Sequence, residues 1–283
     1  MKYLLPIIMF FISDYALATT KNVYPYWAIY YSDQAKAEEF NDYDLLVLDS
    51  DHHPPLNPLS NRNKILLGYI SLGEVEKERY FFQEVKEQEI LLQENPYWHD
   101  SFFIDIRGKY WPKKVLEEII PGILSKSFDG LFLDTLDNLG ELERANPVKY
   151  KGMVQAGVNL VKAIRKHYPD IKIMMNRGYE LLPYLTDIID MELGESVYAD
   201  YNFKDKKYQL VDNNLYQTQV NILQKAQKQN PDLAIYTLDY WHPEDKEEIA
   251  EIYSKQRQNG FIPYVATIDL DKIIKEPLIK ANK

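Results

Sequence analysis

The segment Phe128-Asp129-Gly130-Leu131-Phe132-Leu133-Asp134-Thr135-Leu136-Asp137 constrains the fold most tightly, because it is an apolar strand that ends in two carboxylates. Burying an unpaired carboxylate is costly, so an Asp at the end of a core strand meets water, a partner or a substrate. The pattern recurs along the chain. Asp49 follows the apolar run 45–48, Glu74 follows 65–73, Asn176-Arg177 follow 171–175, and Glu195 follows 188–194. Asp239 follows 233–238 and Asp269 follows 262–268, so seven strands share one polar rim.

Residues 24–31 supply a first strand and bring the count to eight. Between the strands, 111–125, 150–168, 215–229 and 243–258 carry apolar residues at helical spacing with Pro or Gly near their boundaries. Strands alternating with helices predict a parallel sheet, and eight of them predict a closed (β/α)8 TIM barrel with functional residues at the C-terminal strand ends. An open doubly wound sheet is the alternative. It usually has fewer strands and often a Gly-rich loop after the first, where this chain has Tyr30-Tyr31-Ser32-Asp33.

The N-terminus has Lys2, an apolar run over 3–12 and Ala16-Leu17-Ala18 as a small-x-small cleavage site. The run is shorter than the roughly 20 residues that span a bilayer, and Asp14 follows it. Residues 1–18 are therefore expected to be a signal peptide, leaving 19–283 as one domain, secreted or periplasmic, monomeric and free of the membrane. With no Ser/Gly/Pro-rich linker and a length close to the roughly 250 residues of a single barrel, no second domain is needed.

Without cysteine the chain has neither disulfides nor thiolate chemistry. A formal net charge of −10 argues against nucleic acid and suits a cationic ligand. Tyr and Trp gather near the strand ends at Tyr30, Tyr31, Trp98, Tyr179, Tyr198, Tyr201, Tyr240 and Trp241, where rings with a polar tip can stack on sugar faces. None of the five His forms His-Glu-x-x-His. Asp51-His52-His53 invites comparison with a metal-dependent deacetylase, but Pro54-Pro55 follow, and adjacent side chains on an extended segment point to opposite sides. No Gly-x-Ser-x-Gly elbow occurs, so neither metal nor cofactor is expected and paired carboxylates remain.

Gly68-Tyr69-Ile70-Ser71-Leu72-Gly73-Glu74-Val75-Glu76, Phe103-Ile104-Asp105 before Trp111, the aspartate-rich strand ending at Asp137, and Glu195-Ser196-Val197-Tyr198 together resemble glycoside hydrolase family 114. These are (β/α)8 enzymes typified by endo-α-1,4-polygalactosaminidase, and the resemblance runs in order over nearly the whole mature chain. The chain looks like the bacterial branch. Where other members show Tyr-x-Ser-Ala-Gly-Ser and then Trp-x-x-Arg, Gly73-Glu74 follows directly here and Arg79 has no neighbouring Trp.

The resemblance implies a glycosidase that cuts within an α-linked galactosamine-rich polysaccharide. It matches Asp134 to the family's aspartate, taken as nucleophile, and Glu195 to its glutamate, taken as general acid/base; the two roles are not separable from sequence. Glu192 competes with Glu195, since residues three apart on a regular strand face opposite ways and only one enters the barrel mouth. Asp49, Tyr69, Glu74, Asp137, Asn176, Arg177, Tyr198, Asp239 and Tyr240 are expected to line the same rim as substrate-binding residues. Asp137 and Asp239 also fit helix caps, and Arg177 fits a neutraliser of neighbouring acids. A different class stays open, a non-catalytic carbohydrate-binding barrel or an accessory of polysaccharide export, which would share the aromatic rim but not need two carboxylates at catalytic separation.

Overall fold

The computed structural model describes residues 23–60 and 64–277, so the expected signal peptide lies outside the described residues. Eight parallel strands follow one another around a barrel: β1 Trp27–Tyr30, β2 Leu45–Leu48, β3 Ile65–Ser71, β4 Gly130–Asp134, β5 Lys172–Asn176, β6 Met191–Glu195, β7 Ala234–Tyr240 and β8 Ile262–Ala266. The expected (β/α)8 fold is the observed one. Each strand pairs with the next in register, for example Ser71 with Asp134 and Glu195 with Leu238. The seam between β8 and β1 closes through the Trp27 indole N–H donating to the Ile262 carbonyl at 3.1 Å, and the Tyr31 N–H donating to the Leu270 carbonyl at 2.8 Å.

Strands buried on both faces are nearly continuous apolar runs, as in Leu45-Leu46-Val47-Leu48, because a parallel sheet has helices on one side and the barrel core on the other. The period of two decides what each side chain meets. On β4, Phe132 and Asp134 face the barrel interior while Leu131 and Leu133 are buried on the helix side. The helices occupy Asn213–Gln229, Lys246–Gln258, Met153–His167 and a continuous run whose middle, Val115–Ile119, is a π turn between Tyr110–Lys114 and Ile120–Leu124. A further helix, Asp137–Ala145, starts three residues after Asp134.

Two elements on the rim go beyond the alternating plan. After β3 a small antiparallel sheet forms from Glu74–Glu76, Ser101–Ile104 and Leu91–Glu94, with the second strand in the centre. After β6 a hairpin pairs Ala199–Asn202 with Lys207–Leu210. Its turn is made by the Asn202 side chain, which accepts from the Lys204 and Asp205 N–H groups at 3.0 Å each. Among the described residues no helix is long and apolar enough to cross a membrane.

Candidate active site

The C-terminal strand ends open into a cavity of about 1030 Å³ that contains Asp134, Asn176, Glu195 and Tyr240. Asn176, at the end of β5, lies between the two carboxylates. Its Nδ2 donates to Asp134 Oδ1 at 2.9 Å and to Glu195 Oε2 at 2.6 Å. One nitrogen holding both oxygens limits their separation to 5.5 Å, the length of the two contacts laid end to end. Glu195 Oε1 in turn accepts the Tyr240 hydroxyl at 2.5 Å.

This close pair cannot carry two charges cheaply. Burial first, and then the charge of Glu195, push the Asp134 carboxyl up to about 7, against the opposing hydrogen bonds from Asn176 and the Thr135 backbone. The pair therefore keeps one proton near neutrality, shared as a property of both groups. Burial also drives the Tyr31, Tyr69 and Tyr240 hydroxyls well above the ordinary phenol range, with Asp134 or Glu195 adding to it, so all three remain donors. Tyr69 stacks edge-on against Tyr31 with centroids 5.3 Å apart.

The backbone leaves each of these three strands in the same way. Thr135, Arg177 and Ser196, the residues immediately after Asp134, Asn176 and Glu195, have φ of 65°, 53° and 53°, the left-handed region that side chains with a Cβ seldom enter. Thr135 is fixed there by its own hydroxyl, which contacts Ser71 Oγ at 2.9 Å and accepts the Gly73 N–H at 2.8 Å. A Cβ on Gly73 would sit 2.2 Å from the Thr135 carbonyl oxygen, so the approach requires glycine.

Of the expected binding residues, Asp49, Tyr69, Glu74, Asp137, Asn176, Arg177 and Tyr240 line the cavity. Asp49 is held in an ion pair: its Oδ2 accepts from Arg79 at 3.0 Å, and Arg79 also reaches Asp51 at 2.8 Å and Glu76 at 2.6 Å. Glu74 is buried, accepts from Asn95 at 2.8 Å and from the Asn138 amide and Ser101 hydroxyl, and is raised by its burial. It ties the rim sheet to the helix that follows Asp134. Asp137 begins that helix and lies 3.6 Å from the Arg177 Nε, so the two face each other across β4 and β5.

Two expected binding residues do not reach the cavity. Asp239 is fully buried on the outer face of β7, because Leu238 and Tyr240 take the inward positions on either side of it. Its carboxylate accepts the Tyr198 N–H at 2.7 Å, the Ala199 N–H at 2.9 Å and the Gln256 side chain at 2.6 Å, which pins the backbone after Glu195. Burial pushes it up to about 6. Tyr198 points outward onto Tyr216, with centroids 5.2 Å apart. Among the strand-end aromatics Tyr31, Trp98, Tyr201 and Tyr240 line the cavity, and Tyr30, Tyr179, Tyr198 and Trp241 do not. Glu192 is fully buried on the outer face of β6 with neither carboxylate oxygen hydrogen-bonded among the described residues, and burial raises it far above the usual range. Glu195 is the glutamate in the mouth.

Asn95, Asn138 and Thr135 position the site, and strand periodicity has no signal for them, since they act through neighbours rather than at strand ends. The Asp51-His52-His53 run is otherwise engaged: Asp51 binds Arg79 and Lys126, and the His53 ring packs on Phe128. Ligand atoms of Glu94, His99 and Asp100 lie within 4.8 Å of one another. There, however, Glu94 Oε1 already accepts from the Asp100 N–H at 2.9 Å and contacts His99 Nδ1 at 2.8 Å, while Asp100 binds Lys77.

The sequence profile of glycoside-hydrolase family GH114 matches residues 13–280. An uncharacterized protein of Thermotoga maritima is 23% identical over 222 residues, covering 72% of this chain and 66% of that protein, so the chain spans just under two thirds of its relative. The glycoside hydrolase domain of PelA from Pseudomonas aeruginosa superposes with a TM-score of 0.78 at 22% identity, over 90% of this chain and 99% of that one. Aspergillus fumigatus Ega3, in complex with galactosamine, superposes with a TM-score of 0.66 at 11% identity, over 89% of this chain and 94% of that one.

Proposed function

The chain belongs to glycoside-hydrolase family GH114, and from that premise we propose that it is exported and hydrolyses internal α-linkages of a galactosamine-containing polysaccharide through Asp134 and Glu195. The observation that carries this reading is the single Asn176 nitrogen bonded to both carboxylates. Retaining glycosidases hold their carboxyl groups about 5 to 5.5 Å apart, whereas inverting ones leave room for a water at about 6.5 to 9.5 Å. The facing oxygens of the pair, no more than 5.5 Å apart, favour the close arrangement of retention by double displacement.

In the first step Glu195 gives the pair's proton to the glycosidic oxygen as Asp134 attacks the anomeric carbon, forming a glycosyl ester and breaking the bond to the leaving sugar. In the second step Glu195, now ionised, takes a proton from water, whose oxygen displaces Asp134. Asn176 holds both groups at working distance throughout, and Tyr240 steadies Glu195 when it carries charge. Asp137 and Arg177 bound the sugar-binding floor. The cavity gathers eleven Asp and Glu side chains against Lys77 and Arg177, a balance that favours a polymer bearing free ammonium groups. Galactosamine is the ligand in the Ega3 complex.

The test is release of reducing ends from an α-1,4-linked galactosamine polymer and from its fully acetylated counterpart, each at low and high salt. Faster release from the free amine, weakening as salt screens the acidic field, is the expected result. Binding of both polymers without release would assign a carbohydrate-binding barrel instead.

A further inference from the structure

Two loops from separate arcs of the barrel meet above the catalytic strands. One joins Leu91–Glu94 to Ser101–Ile104 and carries Tyr97 and Trp98; the other is the turn of the hairpin after β6, with Phe203 at its tip. The Trp98 and Phe203 ring centroids are 5.3 Å apart at 75°, Tyr97 lies 6.0 Å from Phe203, and Tyr201 backs Phe203 at 5.2 Å. These loops follow β3 and β6, and β4 and β5 lie between them in the barrel, so the ring contact spans the strand ends that present Asp134 and Asn176.

Three observations point to a ligand for these rings. They line the same cavity as Asp134 and Glu195, so they are continuous with the catalytic floor. They stay open to water, with Tyr97 69%, Trp98 51% and Phe203 36% exposed, as a cluster of large apolar side chains on the cavity wall. Their loop is also fixed in place. Asn95 accepts the Tyr97 N–H at 2.9 Å and the Trp98 N–H at 3.3 Å through its side-chain oxygen, while its amide donates to buried Glu74, which also binds Asn138 on the helix after Asp134. A chain of hydrogen bonds therefore sets the height of the aromatic loop relative to the catalytic strand.

We infer that Trp98 and Phe203, flanked by Tyr97, form a sugar subsite distinct from the catalytic one, in which a pyranose ring of the bound polymer stacks away from the scissile bond. The C–H face of the sugar packs on the indole, and an ammonium substituent gains from the ring faces and the surrounding carboxylates. This deepens the proposed function and rests on it. On this inference a polymer is gripped at a second ring as well as at the catalytic pair, and a substrate of one sugar is gripped only at the pair.

The test compares Trp98→Ala and Phe203→Ala with wild type on the galactosamine polymer and on an aryl galactosaminide that fills only the catalytic position. The expected result is an increase of about tenfold in polymer KM, a matching fall in the ratio of polymer to aryl kcat/KM, and recovery in Trp98→Tyr. Tyr184→Ala, an exposed aromatic outside the cavity, is the control. Unchanged polymer KM overturns the subsite, and so does an equal loss on both substrates, which would mean that the rings act through the catalytic pair. Retardation of the protein in polymer-containing gels is read in parallel without turnover. If wild type cleaves neither substrate, the proposed function fails while retardation that is lost in Trp98→Ala still assigns the subsite, and retardation equal in both proteins rejects it.

Discussion

Asp134 and Glu195 are held by one nitrogen, the Nδ2 of Asn176, so neither carboxylate can move or change its charge without the other registering it. The spacing and the proton inventory of the site are thus one property. Four expectations about the protein follow from that pair and from the buried acids around it.

Asn176→Ala should lower kcat on an aryl galactosaminide by roughly 100- to 1000-fold, the usual cost of removing a donor aimed at a catalytic oxygen. Because the Asn176 hydrogen bond lowers Asp134, its loss should also move the alkaline limb of the pH profile upward. Near wild-type kcat with an unmoved limb would free the pair from Asn176.

The two carboxylates should separate by chemical rescue. Glu195→Ala should lose most activity on polymer, keep a fast first step on a substrate with an acidic phenol leaving group, and recover with azide to give a glycosyl azide of retained configuration. Asp134→Gly should recover with azide only to the inverted product. The opposite stereochemistry, read by proton NMR of the products, would exchange the two roles.

On the proposed mechanism the working form of the pair carries one proton, shared between the two carboxyls. Burial and the mutual repulsion of the two groups raise Asp134 to about 7, so that shared proton is lost as pH rises through about 7. On a neutral, acetylated substrate kcat/KM should therefore fall above that pH, approaching tenfold per unit. A profile flat to pH 9 would mean that no such proton is needed.

Glu192 has its folded-state pKa raised by burial, so the stability it contributes is present below its unfolded value and is lost as pH rises toward the folded one. Glu192→Gln stays neutral at every pH. Its stability relative to wild type should rise with pH by up to about 1.4 kcal/mol per unit, with little change in activity, as measured by chemical denaturation at pH 5 and pH 8. A variant less stable at pH 8 than at pH 5, relative to wild type, would show that the carboxylate is ionised and partnered.

The barrel was legible because seven of the eight strands end their apolar runs on polar residues, and that rim is the trace a closed parallel sheet leaves in sequence. The helix between 153 and 167, for instance, lies inside the expected 150–168. Asp239 shows where the rule stops: a polar residue near a strand end can face the helices as easily as the mouth, and only the alternation anchored by Leu238 and Tyr240 tells which. Tyr198 fails for the same reason, one turn of backbone beyond Glu195. The rim sheet and the hairpin were not legible, since their short strands, such as Glu74–Glu76, are too brief to show a period. Trp98 could be read as an aromatic near the mouth, but its meeting with Phe203, more than a hundred residues away in the chain, could not.

The left-handed residues at 135, 177 and 196 cost the folded state on the order of 1 to 3 kcal/mol each. Glycine adopts the same conformation without that cost, so at 177 and 196 it should raise the melting temperature and still leave Asn176 and Glu195 aimed where they are. At 135 the gain is offset, because glycine gives up the hydroxyl that accepts the Gly73 N–H and contacts Ser71, and selection for heat tolerance alone should leave threonine there.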